Sequence, residues 1–341
     1  MSDTTPPSQD EPLWSVMIQT YNCAAYLEQA LRSVLTQDPG PHLMQIEVVD
    51  DGSTRDDPAE VVARLGRGRV GFHRQAGNVG HTRNFDTCIA RARGTLVHIL
   101  HGDDRVRPGF YARMAALLAA RPDAGAAFCR HIHMNHDGHW QEISELLEPE
   151  SGLISNALIR LARNQIVQPP SMVVRREVYG RVGGFDHRIG YGEDWEMWVR
   201  IAARFPIAYE VQPLAEYRKV DSSITANFSR SGTDIHSTIQ VIKLLATYIA
   251  PVHRKYVNRY ARRAFSYYHR SLVWTFYKNQ DVQAAKAQLH GLVRLYPNAF
   301  FLFSMIPMGL RIYRQVLGTK FHTKKSHLPQ PIHIEKHGAT L

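Results

Sequence analysis

Four short segments of this chain combine polar or acidic residues with the end of an apolar run. They are residues 16–22 (VMIQTYN), 48–54 (VVDDGST), 101–104 (HGDD) and 192–195 (GEDW). Carboxylates are poor choices for a protein core because burial removes their hydration. Their positions make chemical sense if they hold a divalent metal, a ribose or a proton in transit.

The first two segments suit the recognition of a nucleotide. Asp50 and Asp51 are adjacent at the predicted end of a buried strand, so they repel each other and call for a specific partner. A carboxylate there can accept a hydrogen bond from N3–H of uracil or thymine, or from ribose hydroxyls. Thr20, Tyr21 and Asn22 follow an earlier strand and could grip the base and ribose. The alternatives are an Asx turn at Asp50 and a strand-to-helix turn capped by Asn22.

The segment 101–104 suits a hard divalent cation, with Asp103 as the first choice of ligand and Asp104 as the second. An ion with oxygen ligands can neutralise the concentrated negative charge of a diphosphate group. The alternative is a capped loop before a helix that begins near Pro108.

The segment 192–195 suits proton transfer. Glu193 and Asp194 open a predicted helix, where the helix dipole stabilises an ionised carboxylate. A nearby Glu193 would raise the proton affinity of Asp194. In-line attack by a hydroxyl group needs one such base. An acidic helix start with no catalytic role remains the alternative.

Alternating strands and helices must position these residues. Such alternation predicts a parallel sheet covered by helices on both faces, in which ligands bind beyond the carboxyl ends of the strands. Thr20, Asp50 and Asp103 all lie just past predicted strand ends, so we expect them to converge. Strands are predicted over 15–20, 46–49, 70–73, 95–100, 126–133, 140–143, 172–174 and 207–210, and helices over 24–37, 57–65, 84–93, 109–120, 153–164 and 194–205.

In series, the four segments resemble the inverting glycosyltransferases of family 2, which have a GT-A fold, over roughly residues 15–225. The resemblance implies a nucleotide-sugar donor, a Mn²⁺ or Mg²⁺ ion, and Asp194 as the base. His101 stands where relatives commonly carry a first Asp. The implied donor-side residues are Thr20, Tyr21, Asn22, Asp50, Asp51, Arg83 and Asp103, with Asp103 and Asp104 on the metal. The implied acceptor-side residues are Gly184, Phe185, Glu193 and Trp195.

These patterns predict four regions: a disordered N-terminus over 1–12, a GT-A catalytic domain over 13–230, a helical extension over 231–318 and a disordered basic tail over 319–341. The extension contains predicted helices over about 235–249, 252–278 and 281–295. A short apolar block at 299–310 is too short to span a bilayer, which needs about 20 residues. It suits a helix lying at a membrane surface, or one packed against the catalytic domain.

Charge is concentrated at the C-terminal end. Residues 251–341 hold 15 Lys or Arg but only two acidic residues, a net +13, whereas residues 1–250 carry a net −3. No nucleic-acid motif accompanies this basic region, so an anionic membrane surface is the favoured partner over nucleic acid, and a solvated helical face is the alternative. Cys23, Cys88 and Cys129 show no disulfide or zinc spacing, and we expect a cytoplasmic location, peripheral at the inner face of the membrane.

The resulting expectation is an inverting, metal-dependent transferase that moves a sugar from a UDP- or dTDP-sugar to a glycan or lipid-linked acceptor in cell-surface polysaccharide synthesis. The chain lacks the Gln-x-x-Arg-Trp motif, which argues against a processive synthase. An oligomeric state is compatible with the sequence. Two alternatives stay open. One is a sugar nucleotidyltransferase, and the other is an inactive module that binds sugar nucleotides or membranes.

Overall fold

The computed structural model describes residues 11–220 and 223–325. Most of the N-terminal segment and of the basic tail that we expected to be disordered, residues 1–10 and 326–341, therefore lies outside the described residues. Among the described residues, no helix is long and apolar enough to cross a membrane.

A ten-stranded mixed sheet organises the fold, in the order β3-β2-β1-β4-β9-β6-β10-β5, with β7 on β6 and β8 on β10. Strands β1 to β4 pair in parallel, and β9 runs antiparallel between β4 and β6. The strands are β1 (Trp14–Thr20), β2 (Met44–Asp50), β3 (Gly71–Arg74), β4 (Leu96–His101), β5 (Arg105–Val106), β6 (Ala126–Met134), β7 (Trp140–Ile143), β8 (Gly152–Leu153), β9 (Met172–Arg175) and β10 (Ile207–Arg218).

Helices cover both faces of the sheet, as the alternating pattern predicts. One face packs against α1 (Ala24–Leu35), α2 (Pro58–Gly66) and α4 (Phe110–Ala120). The other packs against α3 (His81–Arg91), α5 (Ala157–Arg163), α6 (Arg176–Val182) and α7 (Glu193–Ala202). The predicted α/β class is confirmed, although α6, β5 and β8 were not predicted.

Five further helices form the C-terminal extension. They are α8 (Ile224–Ser231), α9 (Thr233–Tyr248), α10 (Pro251–Lys278), α11 (Val282–Leu295) and α12 (Ala299–Lys325). The buried side chains of α9 to α12 join those of α3 and α7 in one continuous hydrophobic cluster. The extension therefore completes the core on one face of the sheet. Helix α12 continues to Lys325, so the boundary predicted for the disordered tail falls within a helix.

Candidate active site

The carboxyl ends of β2, β1 and β4 meet at one edge of the sheet. Thr20 is paired with Asp50, and Gln19 is paired with His101. Beyond the strands, the amide of Asp51 donates to the carbonyl oxygen of Thr20 at 2.9 Å. The predicted convergence of these strand ends is therefore observed.

Asp50 supports this edge from within. Its side chain is fully buried and accepts hydrogen bonds from Ser53 Oγ and Arg74 Nε, both at 2.6 Å. A carboxylate occupied in this way fixes the turn that follows β2. Asp50 is thereby assigned to the support of this turn, and its direct contact with the donor stays a prediction.

Asp51 holds the loop at residues 77–80. Its carboxylate oxygens accept the backbone amides of Val79 at 2.7 Å and Gly80 at 3.0 Å. Burial raises the pKa of this carboxyl group, and the two amides oppose that effect only in part. Gly52 (φ +71°) allows the close approach, because a Cβ atom there would lie 2.8 Å from the carbonyl carbon of Gly77.

The segment after β1 is fixed at both ends and open in the middle. Thr20 is buried, with Oγ1 3.0 Å from Cys23 Sγ. Asn22 adopts a left-handed conformation (φ 51°), and its Oδ1 accepts the amides of Thr54 and Arg55. It therefore binds the turn after β2 and does not cap α1. Tyr21 lies between them with an exposed ring and can face a ligand.

Arg83, the other predicted donor contact, has an exposed side chain in the first turn of α3. Its neighbour Asn84 is buried and donates from Nδ2 to the carbonyl oxygen of Val49 at 3.1 Å. Asn84 thus anchors α3 to β2, which leaves the Arg83 guanidinium at the surface beside loop 77–80.

His101, Asp103 and Asp104 form the candidate metal site. Their ligand atoms lie within 4.8 Å of one another, and this is the one such cluster among the described residues. Asp104 Oδ1 accepts a hydrogen bond from the amide of Arg218 at 2.8 Å. Asp104 Oδ2 and His101 Nε2 are buried without a hydrogen-bond partner. Buried polar atoms are rarely left unpaired, so these atoms fit a cation.

The electrostatics of the cluster support the same interpretation. Burial raises the pKa of Asp103, and burial together with the charge of Asp103 raises the pKa of Asp104 well above its usual range. A bound cation would favour the ionised forms. Burial also lowers the pKa of His101 to about 3, so its imidazole is neutral and keeps a lone pair for a metal. His101 can therefore replace a carboxylate ligand.

Arg218, at the end of β10, closes this side of the site and was not predicted. Its Nε donates to the carbonyl oxygen of Asp103 at 2.7 Å, and its guanidinium lies over the ring of Tyr26. The neighbouring Tyr217 lies within electrostatic reach of both the cation site and Asp194. Burial raises the pKa of its phenol, and the charges of Asp104, Asp103 and Asp194 raise that pKa further.

Asp194 lies at the start of α7, after Gly192 in a left-handed conformation (φ 85°). Its carboxylate accepts two hydrogen bonds from Gln165 Nε2, at 2.9 and 3.1 Å, and one from the amide of Trp195. Burial and the charge of Glu193 raise the pKa of Asp194 to about 7. This value suits a group that must accept a proton near neutral pH.

Two of the predicted acceptor-side residues belong to the core, which corrects that part of the prediction. Trp195 is only 2% exposed, donates from Nε1 to the carbonyl oxygen of Leu161, and packs against Phe265 of α10. Phe185 is buried and stacked on Phe85 of α3 at 4.7 Å. Gly184 lies at the surface, and its carbonyl oxygen accepts a hydrogen bond from Arg200.

Glu193, the fourth of the predicted acceptor-side residues, faces the donor side of the site. His81 Nε2, at the start of α3, lies 3.0 Å from Glu193 Oε1. This contact joins the helix that carries Asp194 to the loop that Asp51 holds.

Comparison with known proteins agrees with this geometry. Residues 15–183 match the model for glycosyl transferase family 2. The chain belongs to glycosyltransferase family 2. It is 30% identical over 226 residues to the uncharacterized protein MT1568 of Mycobacterium tuberculosis (63% of this chain, 70% of that protein). It is 28% identical over 221 residues to TuaG of Bacillus subtilis, a putative teichuronic acid biosynthesis glycosyltransferase (64% and 83%).

Solved structures share the fold of this family 2 glycosyltransferase. S. aureus TarS 1-349 in complex with UDP-GlcNAc matches with a TM-score of 0.60 and 14% identity, over 83% of this chain and 82% of that chain. The mannosyltransferase PcManGT of Pyrobaculum calidifontis, in complex with GDP-Man and Mn²⁺, matches with a TM-score of 0.54 and 19% identity, over 90% and 83%. The GT-A architecture is thus confirmed.

Proposed function

We propose that this enzyme is an inverting, metal-dependent transferase that moves a sugar from a nucleoside-diphosphate donor, UDP- or dTDP-sugar in preference, to a glycan or lipid-linked acceptor. The observation that carries the proposal is the buried carboxylate of Asp194, with a pKa of about 7, which has Tyr217 as a common neighbour with the acidic cation site.

The reaction is a single displacement at the anomeric carbon. Asp194 accepts the proton of the acceptor hydroxyl as that oxygen bonds to C1, and the bond from C1 to the diphosphate oxygen breaks. Because attack and departure occur on opposite faces, the configuration inverts. Gln165 holds the base through both carboxylate oxygens, which fixes its direction during the transfer.

On the donor side, we assign the exposed Tyr21 ring and the exposed Arg83 side chain to contacts with the nucleotide, and Asp51 to the shaping of loop 77–80. His101, Asp103 and Asp104 would hold Mn²⁺ or Mg²⁺, which neutralises the diphosphate when bound. The complexes of TarS with UDP-GlcNAc and of PcManGT with GDP-Man and Mn²⁺ support a donor and a metal of these classes.

The acceptor is proposed to be a growing cell-surface polysaccharide or its lipid-linked precursor at the inner face of the membrane. Support comes from the relative TuaG, which is described as a teichuronic acid biosynthesis glycosyltransferase. It also comes from α12, which exposes Phe300, Phe303, Ile306 and Leu310 next to Arg311. An apolar strip bordered by basic residues suits an anionic membrane surface.

The test is a substitution at the proposed base. Asp194→Asn is nearly isosteric, so nucleotide-sugar binding should persist while the transfer rate falls by about 100-fold or more. Nucleotide release from a panel of UDP- and dTDP-sugars, with Mn²⁺ or Mg²⁺, measures turnover, and calorimetry measures donor binding.

Glu193→Gln is the matched control and should retain most of the turnover. If Asp194→Asn keeps normal transfer while Glu193→Gln loses it, Glu193 is the base and the assignment is wrong. If the native enzyme binds but never turns over any donor, it is an inactive binding module. If it instead releases pyrophosphate from a sugar phosphate and a nucleoside triphosphate, it is a nucleotidyltransferase.

A further inference from the structure

A histidine that the reaction scheme does not use lies between the donor loop and the base. His81 is the first residue of α3 and directly follows Gly80, whose amide donates to Asp51 Oδ2 at 3.0 Å. Its Nε2 lies 3.0 Å from Oε1 of Glu193, the first residue of α7. Both side chains are largely withdrawn from solvent, so their interaction is weakly screened.

Titratable groups face His81 from three elements. Glu193 and Asp194 face it from α7, Asp51 from the end of β2 and His101 from the end of β4. Burial lowers the pKa of the His81 imidazole, but the hydrogen bond and charge of Glu193, with the two aspartates, outweigh burial, so that pKa is raised. His81, when protonated, therefore compensates the charge of Glu193.

Glu193 matters because it is adjacent to Asp194, and its negative charge is one of the two main causes of the raised pKa of Asp194. The neutral Gln165 and the phenols of Tyr191 and Tyr217 also lie near the carboxyl group of Asp194. Any group that offsets the charge of Glu193 therefore makes Asp194 easier to ionise.

Provided that Asp194 is the base, as proposed above, we propose that His81 is a positioning residue. It pairs with Glu193 and so keeps Asp194 ionised and ready to accept the proton of the acceptor. The same contact ties the base to the loop held by Asp51. Loss of the imidazolium leaves the charge of Glu193 uncompensated, so the pKa of Asp194 rises and the ionised base is present only at higher pH.

The test is the pH dependence of kcat at saturating donor and acceptor. His81→Gln keeps a hydrogen-bond donor for Glu193 but removes the charge. We expect the acid limb of the kcat profile to move upward by about one pH unit, because a nearby opposite charge shifts the pKa of a carboxyl group by about one unit or more. The variant should then be about tenfold slower than the native enzyme at pH 6 and similar at pH 9.

The double variant His81→Gln/Glu193→Gln should bring the acid limb back to, or below, its native position, because the uncompensated charge is gone. His136→Gln serves as the control, since His136 pairs with Asp137 in an exposed turn and its loss should leave the profile unchanged. A uniform loss of kcat at every pH in His81→Gln, or an acid limb that moves downward, would overturn the proposal. Full activity of Asp194→Asn would instead overturn the assignment of the base, so the two failures are distinguishable.

Discussion

The acidic residues at the strand ends fall into two groups, according to whether their carboxylate oxygens already accept hydrogen bonds from the protein. Asp50 and Asp51 are committed to Arg74, Ser53 and the amides of loop 77–80. Asp104 keeps one buried oxygen without a partner. The sequence predicts which residues converge, because strand ends can be read from apolar runs. It cannot predict which carboxylate is free, because the donors come from distant loops.

The same limit explains the residues that the sequence did not reveal. Arg218, Gln165 and His81 act on Asp104, Asp194 and Glu193 from positions 114, 29 and 112 residues away in the chain. No local spacing marks such pairs. A single Arg, Gln or His in a mixed sequence has no pattern of its own, and only the folded arrangement gives it a role.

At the residue scale, the cation site can be tested through Asp103. Asp103→Ala should abolish both transfer and metal-dependent nucleotide binding, since the site loses a carboxylate that we expect to be ionised when a cation binds. Titration of the variant with Mn²⁺ in the presence of UDP or dTDP measures binding, and circular dichroism checks the fold. Asp137→Ala, in an exposed turn, is the control. Normal turnover of Asp103→Ala without added metal would show that the site is elsewhere.

At the scale of elements, β10 is the predicted strand whose length was most underestimated, and its unpredicted part reaches the site. The sequence predicts a strand over 207–210, whereas β10 runs to Arg218. Pro213 interrupts the pattern because it cannot donate to the ladder, and the pairing with β6 shifts register around it. Beyond this irregularity, β10 carries Tyr217 and Arg218 to the acidic residues of the site.

Loop 77–80 provides an element-scale prediction. Gly52→Ala places a Cβ atom 2.8 Å from the backbone of Gly77 and strains a left-handed residue. The loop must move, its hydrogen bonds to Asp51 should lengthen, and donor affinity measured by calorimetry should fall. The strain itself costs about 1–2 kcal/mol, visible as a lower Tm.

Gly68→Ala is the matched control for that prediction. Gly68 has a similar φ of +82°, but a Cβ atom there meets nothing within 4 Å. It should lower the Tm by a similar amount and leave donor affinity unchanged. Equal donor affinity in the two variants would mean that the position of loop 77–80 does not govern donor binding.

At the scale of the whole molecule, the helical extension changes the meaning of residues in the catalytic domain. The family resemblance implies that Trp195 lies on the acceptor side. In the structure its indole packs against Phe265 of α10, within a core that both parts share. A local pattern cannot show that Phe265, 70 residues downstream in α10, covers this side chain.

Helix α12 packs on the core with one face and exposes the other. One face, with Phe301, Met305 and Ile312, is buried in the shared core. The opposite face exposes Phe300 (88%) and Phe303 (69%). Truncation before α12 would therefore uncover the core as well as remove the exposed strip, so point substitutions on the exposed face test membrane binding more cleanly.

We expect Phe300→Ser/Phe303→Ser/Leu310→Ser to release the enzyme from anionic liposomes while hydrolysis of a soluble nucleotide sugar stays unchanged. The apolar side chains insert at the interface, and each nearby Arg contributes about 1 kcal/mol with anionic lipid, an attraction that salt weakens. Flotation with vesicles of anionic or neutral lipid, at low and high salt, measures binding.

Val252→Ser/Val293→Ser is the control for that measurement, because both valines are exposed apolar residues outside α12. This variant should bind anionic vesicles as the native enzyme does. If the α12 variant also binds them equally, the exposed strip does not mediate membrane attachment. The net charge of +13 over residues 251–341 would then have to act without insertion, and binding should disappear completely at high salt.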